Sequence, residues 1–288
     1  MPLLGIDIGA TQIKAGLVSE VRVVRSARIA SPGNLEDFRA GLQALMAALE
    51  PGTLEGIGVG CKGIIGADTR VERLPGTLHF LEGHRLVDLL PAAPRVVADN
   101  DARVALAGEV AFGTARGLRN VLMLTLGSGV GGGLLVDGQM VRGAGGIGGH
   151  LGHYTVDPQG PVCICGNRGC LETYFSAHAL EGAVAAAVRR GALPRQLSAE
   201  ELFHSTEPAA QWIVESAERQ LAGALAGLVF VVDPELIVLG GQMAGAPGLL
   251  DRMAGAVAQR TEGYLRRRVP VRRAEILDGV LGAAALVM

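Results

Sequence analysis

Lysine is nearly missing from this 288-residue chain: Lys14 and Lys62 stand alone among 26 basic residues. Arginine supplies the rest, and the formal net charge is −2, so no general attraction to nucleic acid or acidic membranes is expected. Aromatics are scarce too (six Phe, three Tyr, one Trp), which argues against a base-stacking surface. Charged residues make up 19% and apolar ones 49%, a balance that excludes a disordered chain. Long apolar runs are absent: Leu221–Val232 falls short of the ~20 residues that cross a bilayer, and Val121–Val136 is broken by glycines, Thr125 and Ser128. The opening MPLLGIDIGA has no basic region and meets Asp7 early, unlike an export signal. A cytoplasmic protein without disulfides is the expectation; a chain of this length buries enough surface to fold without them.

Glycine is abundant instead. Its 43 residues are about twice the usual ~7%, with no three-residue period, so they are assigned to turns and close backbone contacts. The length suggests two domains. Strands are predicted at Leu3–Ile8, Ile13–Val18 and Val21–Ile29, followed by a helix capped at Asn34 and running to about Leu49. Further strands fall near Gly56–Gly60 and Arg95–Ala98, and a helix from Ala102 to Ala111. The second part repeats this logic. It has strands at Val121–Leu126 and Gly133–Val136, an Asp137-Gly138 hairpin turn into Gln139–Val141, and an irregular stretch from Gly143 to Cys170. Helices are predicted at 173–190, 198–204, 209–231, 248–262 and 279–288, with a strand at Glu235–Leu239. Such alternation is the signature of an α/β protein. The segments LLGIDIGATQIKAGLV (3–18) and VLMLTLGSGVGGGLLV (121–136) also align without gaps, placing Asp7 on Thr125, Gly9 on Gly127, Thr11 on Gly129 and Leu17-Val18 on Leu135-Val136. Two related domains, each opening on a hairpin with a polar turn, are inferred.

Both turns suit phosphate. Tight turns of glycine and small hydroxyl residues expose backbone N–H groups that form an anion nest. In the first, Asp7 precedes Gly9-Ala10-Thr11 and offers a carboxylate for a Mg²⁺-bound water. The second, Gly127-Ser128-Gly129, offers N–H groups and no negative charge. One nest with an acid and one without fit Mg·nucleotide triphosphate. Gly127, Gly129 and Gly132 also spell G-x-G-x-x-G, but the strand and hairpin that follow do not open a helix, which counts against dinucleotide binding.

VVADNDARVALAGE (96–109) sets Asp99, Asn100 and Asp101 at a strand–helix junction. These residues serve either as helix caps or as an acceptor site, where Asn100 binds an alcohol and Asp101 takes its proton. Farther on, His153 precedes CICGNRGC, so His153, Cys163, Cys165 and Cys170 compose a Cys₃His set suited to structural zinc. Cys61 stands apart as a core thiol.

Together these motifs resemble the ROK family (repressors, open reading frames and kinases), which comprises bacterial sugar kinases and sugar-responsive regulators of the actin/hexokinase-like superfamily. The likeness covers DIGATQIK (7–14), ADNDARVALAGE (98–109), TLGSGVGGGLLVDG (125–138), GGHLGH (148–153), CICGNRGCLE (163–172) and PELIVLGG (234–241). It implies two actin-like (ribonuclease H-like) α/β domains with an interdomain cleft, divided as 1–112 plus 277–288 and 113–276. It implies that Asp101 is the base acting on the 6-hydroxyl of a hexose, with Asn100, Gly63, His150, His153 and Glu172 toward the sugar. Asp7, Gly9, Ala10, Thr11, Lys14, Gly127, Ser128 and Gly129 fall toward the phosphates, and Gly240 and Gly241 beside the adenosine. ATP, Mg²⁺ and structural Zn²⁺ are the implied cofactors, and a homodimer or homotetramer the implied assembly.

Three departures mark this chain. The acid usual in Glu-x-Gly-His is His150, and a neutral imidazole both donates and accepts where a carboxylate only accepts. Lys62 sits where the sugar-facing loop often carries prolines, and Ala10 replaces a common glycine. Glucose is the expected acceptor, with mannose, fructose or an N-acylated hexosamine open, as are a polyphosphate donor and a sugar sensor without catalysis. A repressor is not expected, because the phosphate motif begins at Asp7, ahead of which no helix-turn-helix fits.

Overall fold

The computed structural model describes residues 1–288. Two compact units make up the chain: Met1–Gly117 with Met140–Gly148 and Glu275–Met288, and Leu118–Gln139 with Gly149–Ala274.

In the first unit, β1 (Leu3–Ile8), β2 (Gln12–Ser19) and β3 (Arg22–Ala30) form an antiparallel meander. β4 (Gly56–Cys61) and β7 (Val96–Asn100) extend it in parallel, giving the order β3-β2-β1-β4-β7. A two-stranded ribbon, β5 (Ile64–Ile65) and β6 (Val71–Arg73), was not foreseen, since strands this short carry no readable periodicity. Helix α1 (Leu35–Leu49) starts where Asn34 accepts the Asp37 N–H at 2.9 Å and buries Phe38, Leu42, Leu45 and Leu49. Helices α2 (Asp101–Ala111) and α8 (Gly279–Ala285) complete the unit. Glycine explains the close seat of α8: a Cβ on Gly5 would overlap the Val280 carbonyl, and one on Gly58 the Ala283 carbonyl.

The second unit repeats the plan. β8 (Val121–Leu126), β9 (Val130–Val136), β10 (Gln139–Met140), β11 (Leu236–Gly240) and β12 (Val271–Arg273) stand in the order β10-β9-β8-β11-β12. An antiparallel hairpin again leads to two parallel strands. Around this sheet lie α3 (Glu172–Phe175), α4 (Ala177–Arg189), α5 (Ala199–His204), α6 (Pro208–Val232) and α7 (Leu249–Leu265). The core gathers Leu122, Leu124, Phe175, Leu221, Leu225 and Ile237.

Several expectations are corrected. The helix predicted over 173–190 is two helices, because Ser176 adopts extended backbone and its hydroxyl accepts the Ala179 N–H at 3.0 Å, capping α4 afresh. The terminal helix stops at Ala285 rather than 288. The ungapped match of the two hairpins holds to the turn and is one residue out beyond it. Leu3 pairs with Val18, whereas Val121 pairs with Leu135, because the second turn is one residue shorter. No helix is long and apolar enough to cross a membrane.

Candidate functional site

In the first unit the candidate residues collect at the carboxyl ends of parallel strands, where open α/β sheets bind ligands. Ile8 is abreast of Cys61, and Cys61 of Asn100, so the chain leaves all three strands at one level. The first turn closes with the Gly9 N–H on the Gln12 carbonyl at 3.1 Å, and Ser31 fixes it from β3's end by donating to the Gly9 carbonyl at 2.6 Å. Ala10 and Thr11 are exposed at its tip, and Lys14 stands opposite Asp7 in the ladder. Gly63 has φ +96°, and its carbonyl accepts the Asn100 side-chain N–H at 2.9 Å. Lys62 is exposed.

Asn100 caps α2 through its side-chain oxygen, which accepts the Ala102 N–H at 3.0 Å. The Asp101 carboxylate, exposed at the helix's first turn, accepts the same Ala102 N–H at 2.9 Å, so both residues take part in the cap. Beneath them is a network that the sequence reading missed. Arg103, fully buried, pairs with buried Asp99 at 2.6 Å and donates to the carbonyls of Gly146 and Gly148 at 2.9 and 2.6 Å. Arg142 reaches the other Asp99 oxygen at 2.9 Å. The i, i+4 spacing of Asp99 and Arg103 was the available signal.

Asp7 and Asp101 line one cavity of about 80 Å³ with Asp278, Gly279 and Val104. Burial pushes the Asp7 carboxyl above its ordinary value; Lys14 opposes this, and the charges of Asp101 and Asp278 add to it. A divalent cation would relieve that accumulation of negative charge, so the donor set fits Mg²⁺. Burial likewise pushes the Cys61 thiol up, in keeping with a core residue that takes no part in chemistry.

In the second unit, Gly127, Ser128 and Gly129 form the tight turn between β8 and β9, closed by the Gly127 N–H on the Gly129 carbonyl at 3.0 Å. Gly240 lies abreast of Thr125, and Gly241 follows with φ +81°, where a Cβ would overlap the Leu126 backbone. The segment assigned to adenosine is thus a neighbour of this turn. Glu172 reaches it as well, accepting the Val130 N–H at 2.9 Å. His150 is half-buried and precedes the short turn of helix that carries His153.

His153, Cys163, Cys165 and Cys170 converge with all their donor atoms within 4.8 Å of one another. Cys163 Sγ lies 3.4 Å from His153 Nδ1, and Cys165 Sγ 3.6 Å from Cys170 Sγ. Metal–sulfur bonds of about 2.3 Å in a tetrahedron require edges of roughly 3.8 Å, so the spacing suits zinc with no open coordination position. Gly169, at φ +62°, lets this loop pass against the Asp157 backbone. Tyr174 donates to Asp157 at 2.7 Å and holds the Asp157 carboxyl below its usual range, helped by the Gln159 N–H. None of the four cysteines is disulfide-bonded.

The relatives point the same way. A glucokinase from Thermotoga maritima is 28% identical over 100% of this chain and 97% of its own. An N-acetylmannosamine kinase from Citrobacter koseri is 33% identical over 99% of this chain and 98% of its own. Among solved structures, a ROK family glucokinase from Streptomyces griseus in complex with glucose and AMPPNP superposes with a TM-score of 0.79 at 28% identity, covering 100% of this chain and 98% of the other. The model of the ROK family matches residues 3–288, and the chain belongs to that family.

Proposed function

We propose that this protein is an ATP-dependent hexose kinase that phosphorylates a sugar 6-hydroxyl. It is a sugar kinase of the ROK family, and the observation that carries the finer reading is the Asn100-Asp101 junction. There an exposed carboxylate stands on a helix whose first turn is locked by Asn100 and by the buried Asp99–Arg103 pair. The turns Gly9–Thr11 and Gly127–Gly129, with Lys14, hold donor phosphates, and Gly240-Gly241 adjoin the adenosine. Asn100, the Gly63 loop, His150, His153 and Glu172 orient the sugar. Asp101 then accepts the 6-hydroxyl proton as the oxygen attacks the γ-phosphorus in line and ADP leaves. Asp7 would hold Mg²⁺, which would supply neutralisation of the charge that develops on the phosphates. The Cys₃His set would hold zinc, which would shape the loop ahead of Glu172 without taking part in the chemistry.

Glucose is the first acceptor. His150 favours a second reading, in which an N-acylated hexosamine, mannose or fructose is preferred, because imidazole adds a donor where the family's carboxylate only accepts. A coupled assay of ADP release over a hexose panel with Mg·ATP tests both. Glucose or one of these hexoses should release ADP. Sugar binding without ADP release would make the protein a sensor, and turnover with polyphosphate alone would reassign the donor. A cytoplasmic homodimer or homotetramer is proposed with this reading, and sedimentation of the purified chain tests the assembly.

A further inference from the structure

Glu172 is assigned to the sugar in the reading above, yet its carboxylate already has a partner at the other end of the reaction. Glu172 Oε2 accepts the Val130 N–H at 2.9 Å, next to the second phosphate turn. The fit is tight, because a Cβ on Gly129 would stand 2.5 Å from that oxygen. The same short segment grips the rest of the turn. The Ala177 N–H donates to the Gly127 carbonyl at 2.9 Å, and His178 Nδ1–H to the Ser128 carbonyl at 2.5 Å. Residues 172–178 thus hold three of the four backbone positions from 127 to 130. The segment is itself tied to the cysteine loop, since Thr173 donates its N–H and hydroxyl to the Cys170 carbonyl at 2.9 and 2.8 Å.

We propose that Glu172 and His178 are positioning residues for the donor phosphates, and that Glu172 couples the acceptor to the donor through one carboxylate. A turn that binds anions by its N–H groups works only while its carbonyls are held away from the ligand. Ala177 and His178 occupy two of those carbonyls, and Glu172 sets where β9 begins. A sugar hydroxyl held by Oε1 would fix the carboxylate in the orientation that keeps Oε2 on Val130, so each ligand lowers the ordering cost of the other's site, and the coupling is reciprocal.

This inference rests on the kinase reading, and titration calorimetry with Mg·AMPPNP, with and without saturating hexose, separates the two. His178→Ala should weaken nucleotide binding about 3- to 10-fold, the worth of one net hydrogen bond, and leave hexose affinity unchanged. His178→Gln, which retains a donor, should recover most of the loss. In turnover, KM for ATP should rise in His178→Ala while kcat holds. Glu172→Ala should weaken nucleotide binding even without sugar, and Glu172→Gln, whose amide oxygen still accepts, should not. Wild-type nucleotide affinity in both alanine variants, with only sugar affinity lost in Glu172→Ala, would overturn the proposal and leave the kinase reading intact. A wild-type protein that takes no nucleotide in either condition would overturn both.

Discussion

The two hairpins that open the two units share strand order, pairing sense and a polar turn, yet they equip that turn differently. The first, β1–β2, has Asp7 facing Lys14 across the ladder. The second, β8–β9, has Thr125 facing Gly131 and carries no charge. The first turn is closed by the carbonyl of Gln12 and braced by Ser31; the second, one residue shorter, is gripped by residues 172–178. On the proposed reading, a repeated frame therefore supports two kinds of anion site, one governed by ionised side chains and one by backbone dipoles. The first should respond to charge substitutions and pH, the second to hydrogen-bond geometry and to the cysteine loop.

The largest expected effect lies in the charged half. Asp101→Asn should reduce turnover by about 10²- to 10⁴-fold with the melting temperature held, read by steady-state kinetics and thermal unfolding. Near-normal turnover would remove Asp101 from its assigned role. Arg103→Met should cost about 3–5 kcal/mol of stability, because Asp99 would be left buried beside a single, half-exposed arginine. The pair Asp99→Leu with Arg103→Met should recover part of it in urea unfolding, and a double variant no better than the single one would deny the ion pair its weight.

In the uncharged half, Cys165→Ser should lower bound zinc from one per chain toward none and weaken hexose binding, as measured by elemental analysis and calorimetry. Full hexose affinity in a zinc-free sample would sever the loop from the sugar site.

Two smaller effects sharpen the contrast through pH. Asp7 has its carboxyl raised by burial, so the folded state disfavours its ionisation. Its contribution is fully present below the ordinary value near 3.8 and is lost as pH rises through the raised one. Asp7→Asn should therefore gain stability toward neutral pH while losing activity, at about 2–4 °C in melting temperature per kcal/mol removed. Equal melting temperatures from pH 4 to 8 would show that Asp7 bears no burial penalty. Asp157 is lowered instead, so its contribution is present above the ordinary value and fades as pH falls. Asp157→Asn should slightly flatten the acid limb of unfolding curves, the least of these effects, since the group is only half-buried.

Much of this was legible in the chain itself. The hairpins, the Asn34 helix start and the Cys₃His spacing are local, governed by periodicity, caps and ligand intervals that lie within ten or so residues. The glycine excess could be read as close contact, although not where: Gly5 and Gly58 matter because α8, more than 200 residues later, lies against them. Glu172 was singled out for sugar, but its bond to Val130 spans 42 residues and left no periodic trace.

By itself, then, the sequence determined the α/β frame, the paired hairpins, their polar turns, the Asn100-Asp101 strand–helix junction and the thiol–imidazole set. Each is specified by neighbours along the chain. Tertiary structure alone decided that Met140–Gly148 joins the first unit, that Arg103 is buried against Asp99 and the Gly146 and Gly148 carbonyls, and that residues 172–178 grip the second turn. Those outcomes follow from hydrogen-bonding groups that must find partners once buried, and the partners come from whichever distant segment the packed sheets bring within reach.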